Sequence, residues 1–238
     1  MKIVAITPTG DRPDSLNRQV RYLQRTFLPP ETEPHWIVID DGTSPYCPDT
    51  PDGWDTIYFL RQTKEERASI VANLLLGLAH ARTLEPDFVF FWEDDDWYGY
   101  NRIYLQLEAM KSGIKMHGYA NSLYYHVPSQ KYRIMPNKTA SLFEMAITRS
   151  LLNPVFDFLQ QYRGDGLGLD GRLWREFGEQ KTAQARQEYR SIGLKGLPGR
   201  GGIGCGHKPR GKKWRQDERF QYLTSLIGRK DVEDILGE

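Results

Sequence analysis

Short apolar runs alternate, over the first hundred residues, with segments whose apolar positions recur at helical spacing. "KIVAIT" (residues 2–7) is rich in β-branched residues and stops at Pro8, which predicts a buried strand. Pro13 suits a first helical position, and Leu16, Val20, Leu23 and Phe27 then follow at three- and four-residue intervals until "LPPE" breaks the pattern. "HWIVIDDG" predicts a second strand, running into Asp40, Asp41 and Gly42, and "TIYFLRQ" a third. "KEERASIVANLLLGLAHAR" predicts a helix with Ile70, Leu74 and Leu78 on one face, acids at its start and Arg82 near its end, matching the helix dipole. "FVFFWED" predicts the fourth strand.

This alternation predicts an α/β fold with a mostly parallel central sheet flanked by helices. Such sheets bind ligands where loops gather at the carboxyl ends of their strands. Three predicted strand ends carry polar clusters: "TPTGDR", "DDGTSP" and "EDDDWY". The second half is less regular. "YANSLYYHVPSQKYRIMPNK" predicts a hairpin with Pro128 and Ser129 in the turn, and "SLFEMAI" a strand. "SLLNPVFDFLQQY" and "DGRLWREFG" predict helices, the latter with Leu169, Leu173 and Phe177 on one side. "LKGLPGRGGIGCGHKPRGKKW" reads as a glycine-rich basic loop.

A chain of 238 residues can bury a sizeable core, and one domain over 1–238 is the expectation. A hydrophobic content of 39% beside 26% charged residues is that of a globular protein and excludes disorder as the main state. No run suits a membrane span or a signal peptide, so the expected location is the cytoplasm, with no membrane partner. Cys47 and Cys205 lie far apart in Pro- and Gly-rich segments and read as free thiols. The net charge is only +1, but residues 189–216 hold eight cations and no acid, which points to an anionic visitor.

The fourth strand ends in Glu93, Asp94, Asp95 and Asp96. Adjacent carboxylates repel, and a divalent cation removes that penalty; hard oxygen ligands suit Mg²⁺ or Mn²⁺ shared with a substrate diphosphate. An exposed acidic turn capping the next helix is the plainer alternative.

With "TPTGDRP", "VIDDGTSP" and "FFWEDDDWY" in this order, the chain resembles the nucleotide-sugar glycosyltransferases of the GT-A fold, in particular inverting family 2. The resemblance covers roughly the first 110 residues. It implies a Rossmann-like nucleotide-sugar-binding half (1–111), an acceptor-side half (112–188), and a basic Gly-rich loop with a C-terminal helix (189–238). It places Thr7, Pro8, Thr9, Arg12, Asp40, Asp41 and Asp94 around the nucleotide, with Asp40 on the base, typically uracil. It places Asp95, Asp96 and Glu93 on Mn²⁺ or Mg²⁺. Gly10, Asp11 and Glu93 depart from the family's usual residues.

Inversion needs a general base for the acceptor proton. The resemblance puts it in "GDGLGLDGRLWREFG", at Asp170 with Asp165 in reserve, although Asp170 could equally cap the helix that follows. His207, in "GCGHKPRG", is the candidate to complete the metal site, with Lys208 and Arg210 on the diphosphate. The implied activity is transfer of a sugar, a hexose, from a UDP-sugar donor to an acceptor hydroxyl. A modified base in DNA is a possible acceptor, given the basic tail. A nucleotidyltransferase and a nucleic-acid-binding module are the alternatives from other classes. The first should carry a Gly-rich, Lys-bearing loop after the first strand, whereas "TPTGDRP" has one glycine and no Lys, and the second leaves the acidic cluster unexplained.

Overall fold

A computed structural model describes residues 1–62, 69–136, 138–184, 188–200, 207–211 and 213–237. The predicted strands and helices of the first half form in order as β1 (Lys2–Thr9), α1 (Pro13–Gln24), β2 (Glu33–Asp40), β3 (Asp55–Leu60), α2 (Ser69–Leu84) and β4 (Phe88–Phe91). The acids expected at the start of α2 lie outside the described residues, as do Cys205 and Lys212 of the basic tail; Cys47 is an exposed free thiol. Pro13 opens α1, where its missing N–H costs nothing. Phe27 is a correction to the helical pattern: it lies beyond α1, is 51% exposed, and meets Tyr104 edge-on.

The rest of the chain adds β5 (Trp97–Tyr98), α3 (Arg102–Met110), β6 (Met116–Ala120), β7 (Leu123–His126), β8 (Lys131–Ile134), β9 (Met145–Thr148), α4 (Arg149–Gln161), α5 (Leu169–Phe177), β10 (Gln180–Ala183), β11 (Ser191–Lys195), β12 (Arg215–Gln216), α6 (Gln221–Ile227) and α7 (Arg229–Leu236). Among the described residues a seven-stranded sheet runs β10-β6-β9-β4-β1-β2-β3, parallel except where β9 pairs with β4 and β6. Side chains alternate across it with the two-residue period of a strand. Ile3 and Ala5 of β1 join Trp36, Phe90 and α1 on one face, whereas Val4 and Ile6 join Ile37, Phe91, α2 and α4 on the other. Both faces are covered, which is why these strands read as unbroken apolar runs.

A second sheet, β12-β8-β7-β11-β5, was not legible from the pattern. The predicted hairpin is its β7–β8 pair, with Pro128 and Ser129 in the turn. Residues 191–195, expected to lead into the basic loop, are instead β11, parallel to β7 and antiparallel to β5. "SLFEMAI" is strand only from Met145; Ser141 and Glu144 form a capping box around a short 3₁₀ turn before it. The C-terminal helix α7 is tied to the first half through Asp231, which accepts hydrogen bonds from Arg25 at 2.6 Å and from Trp97 Nε1 at 2.5 Å. No helix among the described residues is long and apolar enough to cross a membrane.

Candidate active site

Strands β1 and β4 are in register, Ile6 beside Phe91, so the polar loops at their carboxyl ends meet. They open onto a cleft of about 620 Å³ whose lining includes Thr9, Arg12, Asp94 and Asp95 together with Asp170 and Lys195. Gln19 of α1 shapes the acidic loop from below. Its Nε2 donates to the backbone carbonyls of Asp94 (2.8 Å) and Asp96 (3.0 Å), and its Oε1 accepts from Trp92 Nε1 (2.8 Å). The loop is thus held by a buried amide, which leaves its carboxylates free to meet other charges.

Those charges are on the chain itself. Arg12, the residue before α1, places Nη1 2.7 Å from Asp94 Oδ1 and 3.4 Å from Asp95 Oδ2, while Thr9 Oγ1 donates to Asp94 Oδ2 at 2.6 Å. Lys195, the last residue of β11, places Nζ 2.8 Å from Asp96 Oδ1 and 3.5 Å from Asp95 Oδ1. Burial works against the Asp95 carboxylate, yet Lys195 and Arg12 hold it below the usual carboxylate range. Burial also opposes the Lys195 ammonium, and Asp95, Asp96 and Glu93 outweigh it, so the lysine stays charged. Glu93 lines the cleft; burial, against the pull of Lys195, pushes its carboxyl up to about 7.

Asp170 sits in the first turn of α5, after Gly168, whose φ of +71° is the left-handed backbone that glycine favours. It lines the cleft, and its Oδ1 accepts from Gly171 N–H at 2.7 Å. Burial raises its pKa. Asp165 lines the same wall but is exposed and accepts from Leu167 N–H at 2.9 Å. His207 also lines the cleft, with Nε2 3.9 Å from Asp95 Oδ2; burial and the nearby Lys195 lower its pKa to about 4, leaving the ring neutral at pH 7.

Other expected positions stand elsewhere. Thr7 is fully buried and accepts from Trp36 Nε1 at 2.8 Å, a packing role within the sheet. Asp40 is committed to its own loop: Oδ1 accepts from Gly42 N–H at 2.8 Å, and Oδ2 from Tyr46 N–H at 3.0 Å and Tyr58 Oη at 2.9 Å. Three donors hold that carboxylate on its own turn, and it is not among the residues lining the cleft. Asp41 does not line it either; it is bridged by Arg61 at 2.7 Å and by Arg200, which crosses the first loop above Gly10. Asp96 is fully buried beneath the loop, and Lys208 and Arg210 lie at the surface outside the cleft lining. Trp92, Trp97, Tyr98 and Trp174 are buried core residues.

No protein-family model matches the sequence, and no curated protein does either. Solved structures do. The chain superposes on S. aureus TarS 1-349 in complex with UDP-GlcNAc with a TM-score of 0.55 at 14% identity, over 83% of this chain and 60% of that one. For the same protein in complex with UDP the TM-score is 0.52 at 13% identity, over 82% of this chain and 60% of that one. The fold is the same. The chain spans about 60% of the length of those TarS structures.

The donors themselves test whether the residues suit the divalent cation that the family resemblance implies. Among the described residues no three His, Cys, Asp or Glu side chains converge on one point. Asp94 is taken by Arg12 and Thr9, Asp96 is beneath the surface on Lys195, and Asp95 is bracketed by both cations. A dication beside Asp95 would face Arg12 and Lys195 at close range. In this arrangement, with Arg12 and Lys195 on Asp94, Asp95 and Asp96, the donor set expected of Asp95, Asp96, Glu93 and His207 does not fit a metal, and no step below is routed through one.

Sequence reasoning did not single out Gln19, Tyr124, Arg200 or Lys195 for the cleft. Lys195 had a usable signal: a cation ending the apolar run "SIGL", as the acids end "FVFFW".

Proposed function

We propose that the chain is a glycosyltransferase that takes a sugar, a hexose, from a UDP-sugar and moves it with inversion to an acceptor hydroxyl. The observation that carries this reading is the placing of Asp170 on the same cleft as the ion-paired loop ends of β1 and β4. The shared fold with TarS in its complex with UDP-GlcNAc supports the choice of donor.

In this reading Thr9, Arg12 and Asp94 border the nucleotide, and the open space toward α5 takes the sugar and the acceptor. Asp170 is the base. Burial raises its pKa, which makes the carboxylate a stronger acceptor for the hydroxyl proton as the new bond forms. Gly171 N–H fixes the orientation of one oxygen and leaves the other to the acceptor.

The test is a panel of nucleotide sugars incubated with the protein and scored for release of nucleoside diphosphate. One UDP-sugar is turned over by the wild type and not by Asp170→Asn. Release from none of them, or equal release by the variant, contradicts the reading.

A further inference from the structure

A leaving nucleoside diphosphate needs positive charge at the moment the glycosidic bond breaks. Arg12 and Lys195 already pair with Asp94, Asp95 and Asp96 of the acidic loop, and Lys195 is the cation between Asp95 and Asp96. It is only 8% exposed, yet it lines the cleft. Tyr124 and Phe143 flank its ammonium, with ring centroids 5.6 and 5.8 Å from Nζ. An ammonium has three N–H donors. Two directions are taken by Asp95 and Asp96, and Nζ has no further acceptor among the described residues.

Resting on the nucleotide-sugar reading, we infer that Lys195, seconded by Arg12, supplies the charge that stabilises the departing diphosphate, in the place where a divalent cation would otherwise stand. Asp95 and Asp96 act as positioning residues that aim the ammonium, and two fixed cations equal the charge of one dication.

The step balances without any further reactant. The acceptor O–H gives its proton to Asp170 and its oxygen bonds to the anomeric carbon. The bond from that carbon to the β-phosphate oxygen breaks, and its electron pair leaves with the nucleoside diphosphate, whose new negative charge meets the free donor of Lys195. A lysine serves here as a point charge on a flexible four-carbon stem, held in place by Asp95 and Asp96.

The experiment is calorimetric titration of UDP into wild type, Lys195→Met and Lys195→Arg, each in EDTA and again with excess Mn²⁺. Wild type binds equally in both buffers. Lys195→Met binds about ten- to a hundredfold more weakly in EDTA, the loss expected for one charge-assisted hydrogen bond, and Lys195→Arg keeps most of the affinity. Because Lys195→Met releases Asp95 and Asp96, Mn²⁺ restores part of its binding, an effect that a purely structural lysine would not produce. Wild-type binding that requires Mn²⁺ overturns the inference and leaves the nucleotide-sugar reading standing. So does a Lys195→Met variant that binds as wild type in EDTA, or one that Mn²⁺ does not rescue. Absence of UDP binding by wild type in both buffers overturns the nucleotide-sugar reading itself. If Lys195→Met does not fold, the wild-type pair of titrations still decides.

Discussion

Arg12 Nη1 lies 2.7 Å from Asp94 Oδ1, with 13% and 4% of the two side chains exposed. A pair this dry is stabilising only while both members are present, because removing one strands the other charge away from water. It also joins the loop after β1 to the loop after β4, so it sets the shape of the cleft mouth.

Arg12→Ala is therefore expected to destabilise the fold by about 3 to 5 kcal/mol. The double variant Arg12→Met with Asp94→Leu regains most of that loss. Urea unfolding of the three proteins measures it, and a single variant no less stable than the double one contradicts the pairing.

Glu144 predicts a pH dependence. It is fully buried and accepts from Gln184 Nε2 at 2.8 Å, Ser141 N–H at 3.2 Å and Ser122 Oγ. Burial outweighs these donors and pushes its carboxyl up to about 8 from 4.5. The folded state then holds a proton that the unfolded state has released between those two values. The contribution of Glu144 is fully present below the unfolded pKa and is lost as pH rises through the folded one, at up to about 1.4 kcal/mol per pH unit. Thermal melts of wild type and Glu144→Gln across that window test it: the variant removes this slope.

The part of the site that was legible in the sequence is the part where an apolar strand runs directly into polar residues. "TPTGDR" and "EDDDWY" announce themselves in this way, and both line the cleft. "DDGTSP" has the same outline, but an aspartate that binds a ligand and one that closes its own turn look alike in a sequence. Asp40 is the latter, through Gly42, Tyr46 and Tyr58. The second sheet was hidden for another reason. Its β11 is five residues with a glycine in the middle, and its partners β5 and β7 are far away in the chain, so no local periodicity marks it. Lys195 went unassigned with it.

Gly118 is a packing prediction. A Cβ there would meet Ala140 Cβ and lie 2.7 Å from the Trp174 ring. Both neighbours are buried, so Gly118→Ala is expected to cost about 1 to 3 kcal/mol by overpacking. Denaturant unfolding at neutral pH checks it, and no change in midpoint contradicts it.

Asp170→Asn is expected to lower turnover by roughly a hundred- to ten-thousandfold, the usual contribution of a positioned general base. UDP affinity and melting temperature stay as in wild type, because the amide keeps the acceptor for Gly171 N–H. Single-turnover kinetics beside a binding titration separate the two; a loss of affinity without a loss of rate would move Asp170 from base to ligand.

The most direct measurement is a crystal structure with UDP-GlcNAc. The account predicts the diphosphate between Arg12 and Lys195 at the carboxyl ends of β1 and β4, with the sugar turned toward Asp170. Nucleotide density outside this cleft, or a pyrophosphate remote from both cations, would contradict it.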